Sequence, residues 1–519
     1  MNPTKPYYLT TAITYPNGDP HVGHAYEYIA TDAVARFKRL DGFDVRYLTG
    51  TDEHGLKMAE TAAAEGIGTA ELARRNSAVF ERLQQRLNIS FDRFIRTTDA
   101  DHITASRAIW DKMAAAGDIY LDTYSGWYSV RDERFFTEAE TRLADGDPDG
   151  TRIAVETGAP VTWTEEQTYF FRLSAYADPL LAHYAEHPEF IGPDVRRNEV
   201  VSFVSGGLRD LSISRTSFDW GVPVPEHPDH VMYVWVDALT NYLTGVGYPD
   251  TEGELFRHYW PPDLQMIGKD IIRFHTVYWP AFLMSAGIEL PRRVFAHGFL
   301  LNRGEKMSKS VGNVIDPTTL IDRFGVDQVR YFLLREVSFG QDGSYSDEAL
   351  ITRINTDLAN ELGNLAQRSL SMVAKNLGGI VPTPTELTDD DEQLLAHADR
   401  LLAQVRTHFD AQAMHLGLET IWLMLGAANR YFSAQQPWVL AKSTAEPDRA
   451  RFATVLHTTL EVVRIAALLI QPVLPESAAK LLDLLAQPDE QRSFAAIGRR
   501  LQPGLTLPTP TGVFPRYQR

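Results

Sequence analysis

The sequence predicts an α/β protein: a parallel sheet interrupted by a long insertion and followed by an α-helical bundle. Three observations predict it. Short apolar runs of strand length alternate with helical patterns near the start of the chain, which implies a parallel sheet joined by helical crossovers. That alternation stops near Asp118 and resumes near Val231. From about Asp347 onward, apolar residues recur almost throughout at helical spacing.

Taken in order, Tyr7 to Ile13 reads as a buried strand, and the next pattern places Ile29, Ala33, Phe37 and Leu40 on one helix face. Val45 to Leu48 reads as the second strand. Thr98 followed by Asp101 reads as the capped start of a helix running through Met113. Between Asp118 and His230, β-prone runs such as Gly126 to Val130 are separated by Gly, Pro and Asp clusters such as Asp145 to Gly150. Val231 to Trp235, Leu264 to Ile267 and Val294 to Ala296 then read as further strands of the parallel sheet. Later, Leu350, Ile354, Leu358, Leu362 and Leu365 share a helix face, and further helices centre on Ile421 and Val462. Asp389 to Glu392 reads as the solvated start of a helix, and the Pro-rich tail from Gln502 as surface. The expected organisation is a Rossmann-like domain in two halves (1–117 and 231–300) around an inserted domain (118–230). A linking region (301–346) and a helical domain with a C-terminal tail (347–519) follow.

A chain of 519 residues exceeds what one core usually serves, so several domains are expected. With 50 Lys and Arg against 68 Asp and Glu, the formal charge of −18 opposes general affinity for phosphate backbones. Any RNA partner must meet a local basic surface. The absence of cysteine excludes disulfides, thiolate metal sites and a cysteine nucleophile. No apolar run of transmembrane length stands out and Met1 to Lys5 has no secretory character, so a soluble cytoplasmic protein is expected.

Two short segments carry chemistry. Between the first strand and first helix lies Tyr15 to His24, ending in His21-Val22-Gly23-His24. A helix N-terminus offers unpaired backbone N–H groups and positive potential to a phosphate, and the two imidazoles add donors. After the last expected strand comes Lys306-Met307-Ser308-Lys309-Ser310. Its two ammonium groups suit a polyphosphate whose charge shifts during reaction.

These segments resemble the HIGH and KMSKS signatures of class I aminoacyl-tRNA synthetases, in the same order and on the same contexts. Ala12 to Gly18, Gly50 to Gly55, Tyr233 to Ala238 and Ile267 to His275 are similar to the methionyl branch of that class. The resemblance extends over most of the chain and implies a ligase that joins methionine to its tRNA using ATP. It makes His21, His24, Lys306 and Lys309 catalytic. Asp52 would hold the methionine ammonium; a lone carboxylate in an interior site needs such a cation. Ile13, Tyr15, Trp235, Ala238, Leu239, Tyr242, Ile271 and His275 would line the thioether pocket, where sulfur packs well beside aromatic rings. Leu239 stands where some branches of the family carry Pro. Ala12, Asn17, Gly23, Glu27, Gly268, Asp270 and His297 would bind ATP together with His21, His24 and Lys309, with Asp270 on the ribose.

For the helical domain the resemblance implies that Asn364, Arg368, Pro437 and Trp438 bind the anticodon, with Trp438 as a stacking platform. It also implies the partners methionine, ATP with Mg²⁺, and tRNA(Met). A monomer without zinc is expected. Zinc is not expected because Tyr128 to Asp132 resembles a zinc knuckle in which Ser129 and Asp132 stand for cysteines. The knuckle should instead hold by packing of Trp127, Tyr128, Phe135 and Phe136. Two other readings share the motifs: a nucleotidyl transferase making a small adenylated metabolite, and a catalytically silent tRNA-binding paralogue. The large helical region counts against the first, and the intact His21, His24, Lys306, Lys309 and Asp52 against the second.

Overall fold

The computed structural model describes residues 5–132, 134–144, 150–307 and 312–518. Six parallel strands form the main sheet in the order Arg93–Arg96, Asp44–Thr51, Pro6–Thr11, Leu264–Gly268, Val294–His297 and Ile191–Gly192. Leu9 lies opposite both Tyr47 and Leu264. Successive residues serve opposite faces, so Leu9 joins one hydrophobic cluster and Tyr8 the other. Helices cover both faces, which is why the strands read as near-continuous apolar runs. The strand order reverses between Pro6–Thr11 and Leu264–Gly268, and such a reversal opens a crevice at the carboxyl ends of the strands.

The helix Val22–Leu40 follows the first strand and buries Ile29, Ala33 and Phe37, with Leu40 at the cluster's edge, as its period predicts. The helix Ala100–Ala115 also forms, but its N-cap is Asp99 rather than Thr98. Thr98 Oγ1 donates instead to Glu53 Oε2 at 2.6 Å, a tertiary bond that outcompetes capping.

Two expected strands of the returning sheet form as read, but Val231 to Trp235 differs. The strand His227–Met232 pairs antiparallel with Ser214–Arg215 and Pro223–Val224 in a separate three-stranded sheet. Val234 and Trp235 open the short helix Val234–Leu239. A brief buried apolar run has no period that separates strand from helix. The inserted region is built on an antiparallel ribbon of Ile119–Ser129 and Pro160–Phe171. Its later strand Ile191–Gly192 crosses back to become an edge of the main sheet.

The C-terminal helices share one core with the sheet: Leu9, Phe37, Leu425, Leu460 and Leu507 belong to a single cluster. The helix Glu446–Ile470 has the length and apolar character to cross a membrane, contrary to expectation, but 94% of its apolar window is buried and it forms the bundle's centre. Asp391, expected in solvent, is buried: it accepts from Thr388 N at 2.8 Å and pairs with Arg451 and Tyr431. The C-terminal tail is docked rather than loose. Leu507 and Phe514 are buried, and Tyr517 N donates to Asn355 Oδ1 at 2.9 Å. A buried ion pair joins the two regions: Arg330 Nη2 donates to Asp32 Oδ2 at 2.6 Å while its Nε donates to Val473 O at 3.0 Å.

Candidate active site

A cavity of about 480 Å³ opens at the point where the strand order reverses. Its lining grows out of strand ends. Ala12 and Ile13 follow the first strand, Asp52 the second, Asp270 follows Leu264–Gly268, and His297 closes Val294–His297. Every residue expected to bind methionine lines it. Of those expected to bind ATP, Asn17 does not: its turn folds back, with Asn17 N donating to Tyr15 O at 3.0 Å. Lys309 lies outside the described residues.

The apolar end is aromatic and uncharged. Trp235 stacks on Phe274 with centroids 3.8 Å apart and planes 7° off parallel. Tyr242 donates its hydroxyl to His275 Nε2 at 2.7 Å, which leaves Nδ1–H to donate to Ile271 O at 3.0 Å. Burial lowers the His275 pKa to about 4, so the ring is neutral at physiological pH. His275 sits in the π-helical turn Phe274–Tyr278, the kind of local widening found at functional sites. Elsewhere in the lining Tyr15 Oη accepts from Met58 N at 3.1 Å, and Asp52 N donates to Thr14 O at 2.9 Å.

The polar end is built on the first helix. The rings of His21 and His24 stack with centroids 3.8 Å apart. His21 N donates to His24 Nδ1 at 3.1 Å, so the His24 proton resides on Nε2. A Cβ on Gly23 would stand 3.0 Å from the His21 ring, so glycine here is what admits the stack. Glu27 bridges the site: Oε1 accepts from Ala12 N at 3.0 Å and Oε2 lies 2.9 Å from His297 Nε2. His297 Nδ1 is 2.8 Å from Gly298 O. Burial opposes charge on this imidazole, but Glu27 and the Gly298 carbonyl raise its pKa above the ordinary value. A Cβ on Gly268 would meet Asp270 Oδ1 at 2.6 Å, so that glycine lets the carboxylate fold toward the strand end. Lys306 reaches the rim, with its ammonium 5.0 Å from the Phe299 ring centre.

Comparison with known proteins decides the family. The model for class I tRNA synthetases (M) matches residues 7–370, and that for the anticodon binding domain of methionyl tRNA ligase matches residues 381–518. The chain is 78% identical to the methionine–tRNA ligase of Mycobacterium tuberculosis over 514 residues, covering 99% of this chain and 98% of the relative. It is 59% identical to that of Rhizobium meliloti over 520 residues, covering 100% of this chain and 99% of the relative. This chain belongs to the methionyl-tRNA synthetases of class I. The solved Mycobacterium tuberculosis methionyl-tRNA synthetase in complex with methionyl-adenylate superposes with a TM-score of 0.97 at 77% identity, covering 99% of this chain and 100% of that one. The apo form of that synthetase gives 0.91 at 74% identity, covering 99% of both.

A methionyl-tRNA synthetase also needs a surface for tRNA, and the expected residues gather on the helical domain. Asn364 is exposed at the start of the helix Asn364–Asn376, one turn before Arg368. The Arg368 guanidinium stands 4.8 Å from the Phe432 ring centre and 5.5 Å from that of Trp438. Trp438 is 39% exposed. Pro437 is buried at the first position of the helix Pro437–Leu440, where its fixed φ suits the helix start beside Trp438.

The knuckle differs in detail from expectation. Tyr128 is buried and Phe136 packs with Trp127, but polar bonds close the turn. Asp132 N donates to Ser129 Oγ at 3.1 Å, and Asp132 Oδ2 accepts from Ser129 at 3.2 Å and from Thr157 at 2.5 Å. The Phe135 side chain lies outside the described residues. Among the described residues, no group of three or more His, Cys, Asp and Glu is placed to hold a metal. Sequence reasoning missed that Arg131 and Asp132, at the knuckle's tip, line the cavity, as does Lys57. Arg131 and Asp132 stand far in sequence from the cavity motifs, which left no local signal for them, whereas Lys57 lies two residues past Gly55.

Proposed function

We propose that methionine–tRNA ligation, the activity of this family, proceeds in the cavity as follows. Asp52 takes the methionine ammonium, and the side chain lies among Trp235, Tyr242, Ile271 and His275. The neutral His275–Tyr242 pair supports this reading, because a charged group there would penalise an apolar thioether. Adenine lies near Ala12 and Gly23, and Asp270 accepts from the ribose. His24 Nε2–H, His21, Lys306 and Lys309 meet the phosphates, with Glu27 and His297 steadying the strand ends. Magnesium enters with the nucleotide as part of the substrate.

The methionine carboxylate is its own nucleophile. One of its oxygens forms a bond to the α-phosphorus while the bond to pyrophosphate breaks, so catalysis is alignment and charge stabilisation. A terminal ribose hydroxyl of tRNA(Met) then attacks the adenylate carbonyl and releases AMP. Asn364, Arg368 and Trp438 read the anticodon. The chain acts as a monomer in the cytosol, where its three substrates occur; one copy carries both the cavity and the Trp438 surface.

The observation that carries this reading is one cavity joining Asp52, an uncharged aromatic pocket and the paired histidines. ATP–pyrophosphate exchange tests it. Exchange should depend on methionine and not be supported by leucine, and Asp52→Ala should cripple it. Equal exchange with leucine refutes the pocket assignment, and an unaffected Asp52→Ala refutes the ammonium contact.

A further inference from the structure

Outside the cavity, one buried polar cluster has no role in the steps above. Asp237 is fully buried and offers one carboxylate oxygen to each of two histidines: Oδ2 lies 2.6 Å from His54 Nδ1 and Oδ1 lies 2.7 Å from His102 Nε2. His102 is fully buried, His54 nearly so, and none of the three lines the cavity. The other nitrogen of His102 lies 3.0 Å from Thr244 Oγ1. Ser106 Oγ is 3.3 Å from His102 Nε2, and the Trp220 ring stands edge-on to His54 at 5.5 Å.

The cluster joins the pieces that make the methionine subsite. His54 is two residues beyond Asp52. Asp237 lies on the helix Val234–Leu239, which also carries Trp235, Ala238 and Leu239. Thr244 ends the helix Asn241–Thr244, which carries Tyr242. The main chain around Asp52 is tied elsewhere, to Thr14, to Thr97 Oγ1 and to Trp220. The His54–Asp237 bond joins that loop to the helix bearing the pocket's aromatic wall. Apolar side chains would fill the space without desolvating a carboxylate, so a buried charge here is explained by the orientation its hydrogen bonds enforce. Burial pushes the Asp237 carboxyl up, but the two imidazoles more than offset this and hold it at about 2.

We infer that Asp237 is a positioning residue: through His54 and His102 it sets the distance between Asp52 and the aromatic wall, and so tunes methionine affinity without touching the substrate. The inference rests on the reading of Asp52 as the ammonium partner.

Asp237→Asn should raise KM for methionine in pyrophosphate exchange by about tenfold or more, while KM for ATP stays within about twofold. The histidine variants give a signature that lost packing does not. Asparagine places an amide N–H where Nδ1–H was, and glutamine places one nearer Nε2–H. His54→Asn should therefore hold KM for methionine within about threefold of the parent while His54→Gln raises it, and the order should reverse at His102. If Asp237→Asn fails to fold, these four variants carry the test alone. Parallel rises in both KM values, or equal effects of Asn and Gln at each histidine, would overturn the inference. A crippled Asp52→Ala enzyme beside an unchanged methionine KM in Asp237→Asn would sink this inference alone; an unaffected Asp52→Ala would sink the reading beneath it.

Discussion

Replacing Trp438 with Ala separates the two ends of the molecule. The ring is 39% exposed on the helical domain and is absent from the cavity lining, so nothing it touches aligns methionine with ATP. Loss of one base–aromatic stack costs about 1–3 kcal/mol, or roughly 5- to 150-fold in tRNA affinity. The protein's own share is smaller. Trp438 faces Phe432 at 6.3 Å and the Arg368 guanidinium at 5.5 Å, contacts worth about 0.5–1.5 and about 0.5–1 kcal/mol at most. The variant should therefore keep methionine-dependent exchange within about twofold and lose only a few degrees in Tm, while kcat/KM for tRNA charging falls roughly 5- to 150-fold. Arg368→Ala should combine with it less than additively, because the guanidinium rests on the ring that is removed. Charging of a tRNA with an altered anticodon is the second check: a true contact makes the protein and RNA defects non-additive. Parallel loss of exchange and stability, or full additivity with the altered anticodon, would refute the assignment.

Two further outcomes follow from the site. Burial lowers the His275 pKa from 6.5 to about 4, so between these values the unfolded chain binds a proton that the folded one refuses. Stability is intact above pH 6.5 and falls as pH drops toward about 4, by about 3 kcal/mol for a 2.5-unit gap, with no further loss from this group below that. His275→Gln should flatten that slope in unfolding curves at stepped pH; an unchanged slope would show that the ring is not held neutral. Elemental analysis should find no stoichiometric zinc, and a chelator should leave Tm unchanged, because hydroxyl and carboxylate bonds close the knuckle at Ser129, Asp132 and Thr157. A tightly held zinc atom would overturn that account.

What the sequence by itself determined is the chemistry and its supports. The helix Val22–Leu40 shows its buried face in its period, and His21, His24, Asp52 and Asp270 stand in contiguous segments that resemble the family's motifs and line one cavity. These features are local, and local spacing records them. Tertiary structure alone decided the rest. Val234 and Trp235 became helix where a short apolar run allowed either state, and Asp391 and, within the largely exposed C-terminal tail, Leu507 and Phe514 were buried by partners far along the chain. Arg131 lines the cavity from just beyond the end of the inserted ribbon, far in sequence from the other lining segments. Asp237 meets histidines 183 and 135 residues away. Such pairings are set by strand order and by the packing of helices on a shared core, and neither leaves a period that a window of neighbouring residues can show.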